Sequence, residues 1–153
     1  MANSILISDK EVIMQNLLNF EKTIETTQRD RVNGFMRPHN FNCNMENQTI
    51  SMEYDIHSWA LNSKDIVHGG IICTMLDNAS GCSVIGFTGC WCPTIEIKVD
   101  FISPVYFEDT IIATGKIISA GKSIIRTEGT LHNKETNKLI AKCSASFFIR
   151  TDN

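Results

Sequence analysis

The pattern of apolar and polar positions begins with an amphipathic helix. Residues 8–25 carry apolar side chains at helical spacing, and Ser8 and Glu11 have the spacing of a capping box at its start. The apolar stripe consists of Val12, Ile13, Leu17, Phe20 and Ile24. We expect this stripe to pack the helix onto the rest of the domain, and we assign it no chemical role.

Two short strands and a central helix follow. The strands are predicted at 35–45 and 48–57, around a turn at Glu46-Asn47. After a loop at 58–67, residues 68–86 read as a helix that Gly86 and Gly89 help to end. This helix is far more apolar than the first, so we expect it to be buried.

The rest of the chain is predicted to be strands. Residues 94–101 alternate strictly, which places Ile95, Ile97, Val99 and Phe101 on one face. Three further strands are predicted at 109–119, 122–132 and 138–150. In the last strand, small side chains on one face would let the backbone approach a packed helix; they are Ala141, Cys143 and Ala145.

This order of elements predicts an α+β fold with one antiparallel sheet of five to six strands. We expect the sheet to curl around the central apolar helix, with the N-terminal helix as an addition. The predicted division is an N-terminal helix and connection at 1–34 and one domain at 35–150.

Composition narrows the classes of function. The net charge is −3 at pH 7, so no basic surface suggests a nucleic-acid partner. No apolar stretch reaches the length of a membrane span and no signal peptide is visible, so we expect no membrane partner. Three of the six Cys lie inside apolar segments, which favours reduced thiols in the cytoplasm. Cys90 and Cys92 lack the usual zinc spacing, so we expect no metal.

One carboxylate stands in the central helix. Residues 71–85 are apolar or small at nearly every angle, so Asp77 is expected to be at least partly buried. An unpaired ionised carboxylate is costly there, and a helix keeps one when it is used or when a distant residue pairs it. The structural alternative is a pairing with Lys98 or Arg126, or hydrogen bonds to Asn78 and Thr74.

The start of the same helix is a second candidate site. Main-chain N–H groups at a helix N-terminus are unpaired and carry partial positive charge, and Gly lets a ligand approach them closely. Gly69 and Gly70 therefore predict a site for an anion or oxyanion, or simply a tight turn. His68 is a candidate acid or base, or a residue that shapes the turn by hydrogen bonding.

Together these residues resemble the hotdog-fold acyl-CoA thioesterases, most closely the phenylacetyl-CoA, or PaaI-like, branch. The resemblance covers roughly residues 45–150. It rests on Asn62, which five residues separate from His68-Gly69-Gly70, and on Asp77 in the helix. It also rests on the strand from Thr94 to Phe101, on the turn Ile102-Ser103-Pro104-Val105 and on the Gly121 turn. One departure is Ser63-Lys64-Asp65, where relatives commonly have a Gly.

The resemblance implies hydrolysis of acyl-CoA without a cofactor. Asp77 would be the general base or nucleophile, and the Gly69 N–H would polarise the thioester carbonyl. Asn62 would bind near the attacking water or the thioester, and His68 would order the glycine turn. Thr94 would help to hold the water, which requires an irregular strand start or a neighbouring subunit because the pleat points it away from the Ile95 face.

Substrate contacts are harder to place. Gly70 is a candidate through its position at the helix start, and Lys122 and Arg126 are candidates for the coenzyme A phosphates. Met75, Ile85, Phe87 and Trp91 are expected to influence the shape of the acyl pocket. Two other functions remain open: a non-catalytic acyl-CoA binding protein, and a hotdog dehydratase or hydratase, which usually pairs a catalytic His with a carboxylate at other spacings.

Helix geometry predicts an assembly. Asp77 lies eight residues beyond Gly69, which is ~12 Å along a helix axis and ~80° around it. One thioester carbonyl cannot touch both residues of one helix. We therefore expect a two-fold homodimer whose sites are shared between chains. The family's usual assembly implies further pairing into a homotetramer.

Overall fold

The computed structural model describes residues 5–149. The first four residues, and residue 150 of the last predicted strand, lie outside the described residues. The helices are α1 (Lys10–Thr27), α2 (Val32–Met36) and α3 (Gly69–Thr88), with a turn of 3-10 helix at Ser58–Ala60. The strands are β1 (His39–Asn44), β2 (Thr49–Asp55), β3 (Thr94–Phe101), β4 (Thr110–Ala120), β5 (Ile124–Asn133) and β6 (Leu139–Phe148).

The predicted α+β fold is confirmed. The six strands form one sheet in the order β1-β2-β4-β5-β6-β3, and every neighbouring pair is antiparallel. Helix α3 contacts β2, β4, β5, β6 and β3, so the sheet curls around it as the sequence predicted. This arrangement leaves β1 and β3 as the two edge strands.

A row of small residues holds α3 against the middle of the sheet. Gly115 of β4 pairs with Gly129 of β5, which pairs with Cys143 of β6. A Cβ at Gly115 would overlap the backbone of Ala79, and one at Gly129 would lie 2.8 Å from the Cys143 Sγ. The predicted small face of β6 is buried and belongs to this row; its members are Ala141, Cys143 and Ala145.

Helix α3 is longer and more apolar than the sequence analysis allowed. It has 20 residues and a mean hydropathy of 1.2, so length and composition alone would let it cross a membrane. The prediction that no apolar stretch reaches that length was therefore wrong. In the fold, 56% of the 18-residue window that gives this hydropathy is buried inside the domain, as is typical of a core helix wrapped by a sheet.

The N-terminal helix packs as predicted but begins at Lys10, two residues later than predicted. Asp9, not Ser8, is the cap, because its Oδ1 accepts a hydrogen bond of 2.9 Å from the Glu11 N–H. The side chains that α1 buries are Ile13, Leu17 and Ile24. They pack this helix onto α3 and β1, whereas Val12 of the predicted stripe is 44% exposed.

Two predicted boundaries were wrong. Phe35 and Met36 close α2 instead of opening a strand, because the Arg37 N–H bonds to the Asn33 carbonyl oxygen at 2.9 Å and completes a helical turn. Gly86 lies inside α3, where a Cβ would be 3.4 Å from side chains of α1 and β2. Gly89 alone caps the helix, with the left-handed φ of 69° that Gly adopts without strain.

Strand β3 has an exposed apolar face. Ile95 and Phe101 are 54% and 59% exposed, and Ile97 and Val99 are half-buried. The strict alternation therefore predicted the strand correctly but not the burial of its apolar face within one chain. The reason is topological: β3 is an edge strand, with β6 on one side only.

Candidate active site

The Asp77 carboxylate is bound by the hydroxyl of Thr94. Asp77 lies on α3 and is partly buried, as predicted. The Thr94 hydroxyl donates a hydrogen bond of 2.7 Å to Asp77 Oδ1. The pairing of β3 with β6 shifts register between Thr94 and Glu96, so the strand start is irregular. This bulge brings Thr94 to the helix within the same chain.

Asp77 does not make the purely structural contacts that were the alternative to a catalytic role, namely pairing with Lys98 or Arg126 or hydrogen bonding with Asn78 and Thr74. The Lys98 Nζ pairs with Asp100 Oδ1 at 3.8 Å, and the Thr74 hydroxyl donates to the Gly70 carbonyl oxygen. The Asn78 amide donates to Asn33 and Tyr54 instead. Within residues 5–149, the hydrogen bond that Asp77 accepts comes from a neutral hydroxyl and no cation pairs with its carboxylate. A hydroxyl donor fixes the orientation of a carboxylate without neutralising its charge.

Asp77 and Thr94 line a cavity of about 230 Å³. Its other lining residues are mostly apolar or small: Phe20, Asn33, Asn78, Gly81, Cys82, Ile85, Trp91, Cys92, Pro93 and Phe147. Of the residues expected to shape an acyl pocket, Ile85 and Trp91 lie here, whereas Met75 and Phe87 are buried in the core. Phe20 and Asn33 were not among the predicted site residues, because only tertiary packing brings them to Asp77.

Cys92 lies beside Asp77 but is poorly suited to be a nucleophile. Burial and the nearby Asp77 charge raise the pKa of the Cys92 thiol to about 12. The thiol is therefore protonated near neutral pH, and a thiolate is the nucleophilic form. This leaves Asp77 as the ionisable group of the cavity that is best placed to activate water.

The start of α3 is shaped by His68. Its side chain caps the helix, with Nδ1 accepting a hydrogen bond of 2.9 Å from the Gly70 N–H. The Gly70 N–H is therefore occupied and not available to a substrate. The Gly69 N–H has no acceptor among the described residues. Of the two glycines, Gly69 is the one that presents an unpaired donor at the positive end of the helix.

Asn62 holds the loop that precedes this turn. Its Oδ1 accepts hydrogen bonds from the N–H groups of Lys64, at 2.8 Å, and Ile66, at 3.5 Å. Within the Ser63-Lys64-Asp65 stretch, Asp65 takes a left-handed φ of 57°, a conformation that Gly adopts without strain. The side-chain oxygen of Asn62 therefore bonds within the loop, whereas no described residue accepts a hydrogen bond from the Asn62 Nδ2 group.

Asn62 and Gly69 share a second cavity of about 320 Å³. It is lined by Asn62, Ile66, Val67, Gly69, Ile72, Phe101, Ile102, Ser103, Pro104 and Val105. Neither Asp77 nor Thr94 contributes to it. One chain therefore presents two separate groups of site residues, one near the start of α3 and one along its length.

The two cations that were candidates for binding the coenzyme A phosphates lie away from both cavities. Lys122 and Arg126 are exposed and line neither of these cavities. The structure does not bring these two cations to Asp77 or to Gly69 within one chain. Among residues 5–149, no group of three or more His, Cys, Asp or Glu side chains could hold a metal ion.

Comparison with known proteins agrees with this fold and these sequence motifs. The family model "Thioesterase superfamily" matches residues 64–140. Human acyl-coenzyme A thioesterase 13 is 31% identical over 97 residues, which cover 61% of this chain and 67% of the human protein. The matched region of the family model includes Gly69, Asp77 and Thr94, but neither Asn62 nor the N-terminal helices.

Solved structures share the fold. The PaaI protein from the phenylacetic acid degradation operon of Escherichia coli superposes with a TM-score of 0.77 at 16% identity, over 93% of this chain and 98% of that one. The protein smu.793 of Streptococcus mutans, solved with bound acetyl-CoA, gives a TM-score of 0.66 at 22% identity, over 75% and 92%. The chain belongs to the thioesterase superfamily and has the hotdog fold.

Proposed function

We propose that this protein hydrolyses acyl-CoA thioesters to a free acid and coenzyme A. Membership of the thioesterase superfamily and similarity to acyl-coenzyme A thioesterase 13 support the reaction. The acetyl-CoA bound to the structural neighbour from Streptococcus mutans supports the class of substrate. No metal or organic cofactor enters the proposed chemistry.

One observation carries the proposal. Asp77, oriented by the Thr94 hydroxyl, lines one cavity, and the unpaired Gly69 N–H lines another. Eight residues of helix separate Asp77 from Gly69, which is ~12 Å. A thioester that reaches both groups must therefore lie between the α3 helices of two chains.

In this arrangement the Gly69 N–H of one chain hydrogen-bonds the thioester carbonyl oxygen and stabilises the negative charge that develops on it. Asp77 of the other chain accepts a proton from water as the water attacks the carbonyl carbon, or attacks that carbon itself. The carbon–sulfur bond then breaks, and the coenzyme A thiolate takes up the proton that Asp77 accepted from water. If Asp77 itself attacks, an acyl anhydride forms on its carboxylate as the thiolate leaves, and water then hydrolyses this anhydride, which releases the free acid, restores Asp77 and supplies the proton of the thiol. Thr94 orients the carboxylate, and the free Asn62 amide group donates near the water or the thioester.

We propose a homodimer as the minimal unit, with further pairing into a homotetramer. The exposed apolar face and free edge of β3 support an interface there, because an unpaired edge strand with apolar side chains is a surface for association. Lys122 and Arg126 are proposed to meet the coenzyme A phosphates in this assembly. The proposed compartment is the cytoplasm, and six free thiols support a reducing environment.

The decisive experiment measures free thiol released from a panel of acyl-CoAs that differ in chain length and aryl content. The proposal predicts release that is lost in Asp77→Asn. A protein that only binds acyl-CoA would release no thiol while retaining affinity. A dehydratase or hydratase would change the acyl chain and leave the thioester intact, so the two alternatives are separated from hydrolysis in one assay.

A further inference from the structure

The N-terminal segment forms part of the cavity beside Asp77. Phe20 of α1 and Asn33 of α2 line this cavity together with the catalytic carboxylate proposed above. Both residues precede residues 64–140, the region that matches the thioesterase superfamily. The wall they form is therefore contributed by a part of the chain outside the matched catalytic region.

Asn33 is bonded directly to the helix that carries Asp77. The Nδ2 group of Asn78, the residue after Asp77, donates to Asn33 Oδ1 at 2.8 Å and to the Tyr54 hydroxyl at 3.3 Å. Tyr54 is fully buried, so this network links α2 through α3 to the core of the sheet. The part of the cavity wall that Asn33 forms is therefore held in place relative to Asp77.

Phe20 is held equally firmly. Its ring packs edge-on against Phe41, with centroids 6.4 Å apart. The helix that carries it is anchored by Ile13 and Leu17, which are fully buried. The N-terminal segment is thus a packed layer of the domain at this point, and it limits the space next to the carboxylate.

We infer that Phe20 and Asn33 form the closed end of the acyl pocket and set the largest acyl group that the enzyme accepts. The inference rests on the proposed function, because it places the acyl group in the cavity beside Asp77. That cavity has about 230 Å³, whereas an apolar cavity of about 150 Å³ holds benzene. There is room for one six-membered ring with a short linker, or for a short chain of similar volume.

The test uses two variants that open the closed end. In Phe20→Ala and Asn33→Ala, kcat/KM is measured for a short and a long saturated acyl-CoA, and the long-to-short ratio is compared with that of the wild type. We expect the ratio to rise by at least about tenfold, since a single methylene in a hydrophobic pocket is worth about tenfold or more. Leu18→Ala is the matched control: Leu18 lies on the same helix, is 49% exposed and does not line the cavity.

A third variant fills the cavity. A Cβ at Gly81 would lie 3.6 Å from the Phe147 ring and 4.0 Å from the Cys92 Sγ, which are ordinary contacts. Gly81→Ala therefore adds a methyl group without a clash, and we expect the long-to-short ratio to fall. Because the opening and filling variants shift the ratio in opposite directions, a general loss of stability cannot imitate the result.

The outcomes separate this inference from the proposed function. Both substrates are assayed on the same preparation, so a partly unfolded variant loses activity on both and its ratio stays fixed. If the wild type releases thiol and all three variants keep its ratio within twofold, the role of Phe20 and Asn33 is overturned and the proposed hydrolysis stands. If the wild type cleaves no acyl-CoA, the proposed function falls and this inference falls with it.

Discussion

The hydroxyl of Thr94 lies 2.7 Å from Oδ1 of Asp77, although regular alternation along β3 would turn it away from the helix. The irregular pairing at the start of β3 places the hydroxyl there. The carboxylate is therefore held by a neutral donor in the wall of a mostly apolar cavity. A carboxylate that is oriented but not neutralised can accept a proton or attack a carbonyl carbon.

Asp77→Asn is expected to keep the fold and to lower turnover of the best acyl-CoA by at least about a hundredfold, as for the loss of a positioned base. Asn preserves the size of the side chain and can still accept from Thr94. Thiol release gives the rate and circular dichroism monitors the fold. Near-normal turnover in a well-folded variant would refute the assignment of Asp77.

Thr94→Ala removes the donor that orients the carboxylate. We expect kcat to fall by about tenfold, since a hydrogen bond to a charged group contributes about 1.5 kcal/mol or more. Thr94→Ser keeps the hydroxyl and should retain most of the activity. Equal losses in the two variants would show that the methyl group of Thr94, and not its hydroxyl, matters to the rate.

Gly69→Pro deletes one N–H group at the first position of α3. Pro is well tolerated at this position, and His68 already has the extended φ of −60° and ψ of 135° that a residue before Pro prefers. We expect kcat to fall by about a hundredfold, as for the loss of an oxyanion donor. Gly69→Ala retains the N–H, and its Cβ would meet the Phe101 ring at 3.5 Å, so it is the matched control. Equal kinetics in the two variants would exclude the N–H from catalysis.

Subunit mixing tests whether the site is shared. Inactive Asp77→Asn chains are combined with inactive Gly69→Pro chains under conditions that allow exchange. Half of the randomly mixed dimers contain both chains, and each of these has one intact site and one doubly damaged site. Roughly a quarter of wild-type activity should therefore return. Sites built within one chain would all carry a lesion, and mixing would restore nothing.

A pH-dependent contribution to stability is expected from Lys134. Its Nζ lies 2.8 Å from Glu53 Oε2, and this hydrogen bond is the main reason that the pKa of Glu53 is below its ordinary value of 4.5. The lowered pKa stabilises the fold at pH values above 4.5, and the gain disappears as the pH falls through the folded-state pKa of Glu53.

Lys134→Met should therefore reduce the free energy of unfolding at pH 7 by less than about 1 kcal/mol, the usual range for a pair near the surface. The difference from the wild type should shrink toward zero in acid. Urea unfolding at a series of pH values measures it. Lys138→Met, in the same hairpin and without a described ion pair, is the control. A difference that grows in acid would contradict the sign of the Glu53 effect.

Periodicity predicted most of the fold correctly because helices and strands bury one face each. It failed where a residue has a role set by tertiary contacts. Gly86 was expected to help end the central helix, because Gly is common at helix ends. It lies inside α3 instead, at a position where side chains of α1 and β2 approach the helix closely. The exposed apolar face of β3 likewise follows from its place at the sheet edge, which the strand's own sequence does not specify.

In the candidate site, too, the features set by local sequence could be predicted and those set by tertiary contacts could not. The partial burial of Asp77 and the free Gly69 N–H could be anticipated from the helix sequence, because burial and helix ends are local properties. The Thr94 hydroxyl reaches Asp77 only because the start of β3 is irregular. The sequence showed that Thr94 would need such an irregularity, but not that it was present. Phe20 and Asn33 could not be anticipated, since no local pattern tells which part of a distant helix will reach a cavity.

The close contact of α3 with Gly115 and Gly129 restricts how this enzyme can diversify. The middle of the helix has no free space toward the sheet, so enlarging side chains there disrupts the fold before it alters the substrate. Phe20 and Asn33 are half-buried and line the cavity beside Asp77, so a change of side chain at either position alters the cavity without altering the contact between α3 and the sheet. Substitution at Phe20 and Asn33, and not along the face of α3 that packs on the sheet, is therefore the route by which descendants of this protein could acquire a new acyl preference while inheriting the catalytic framework unchanged.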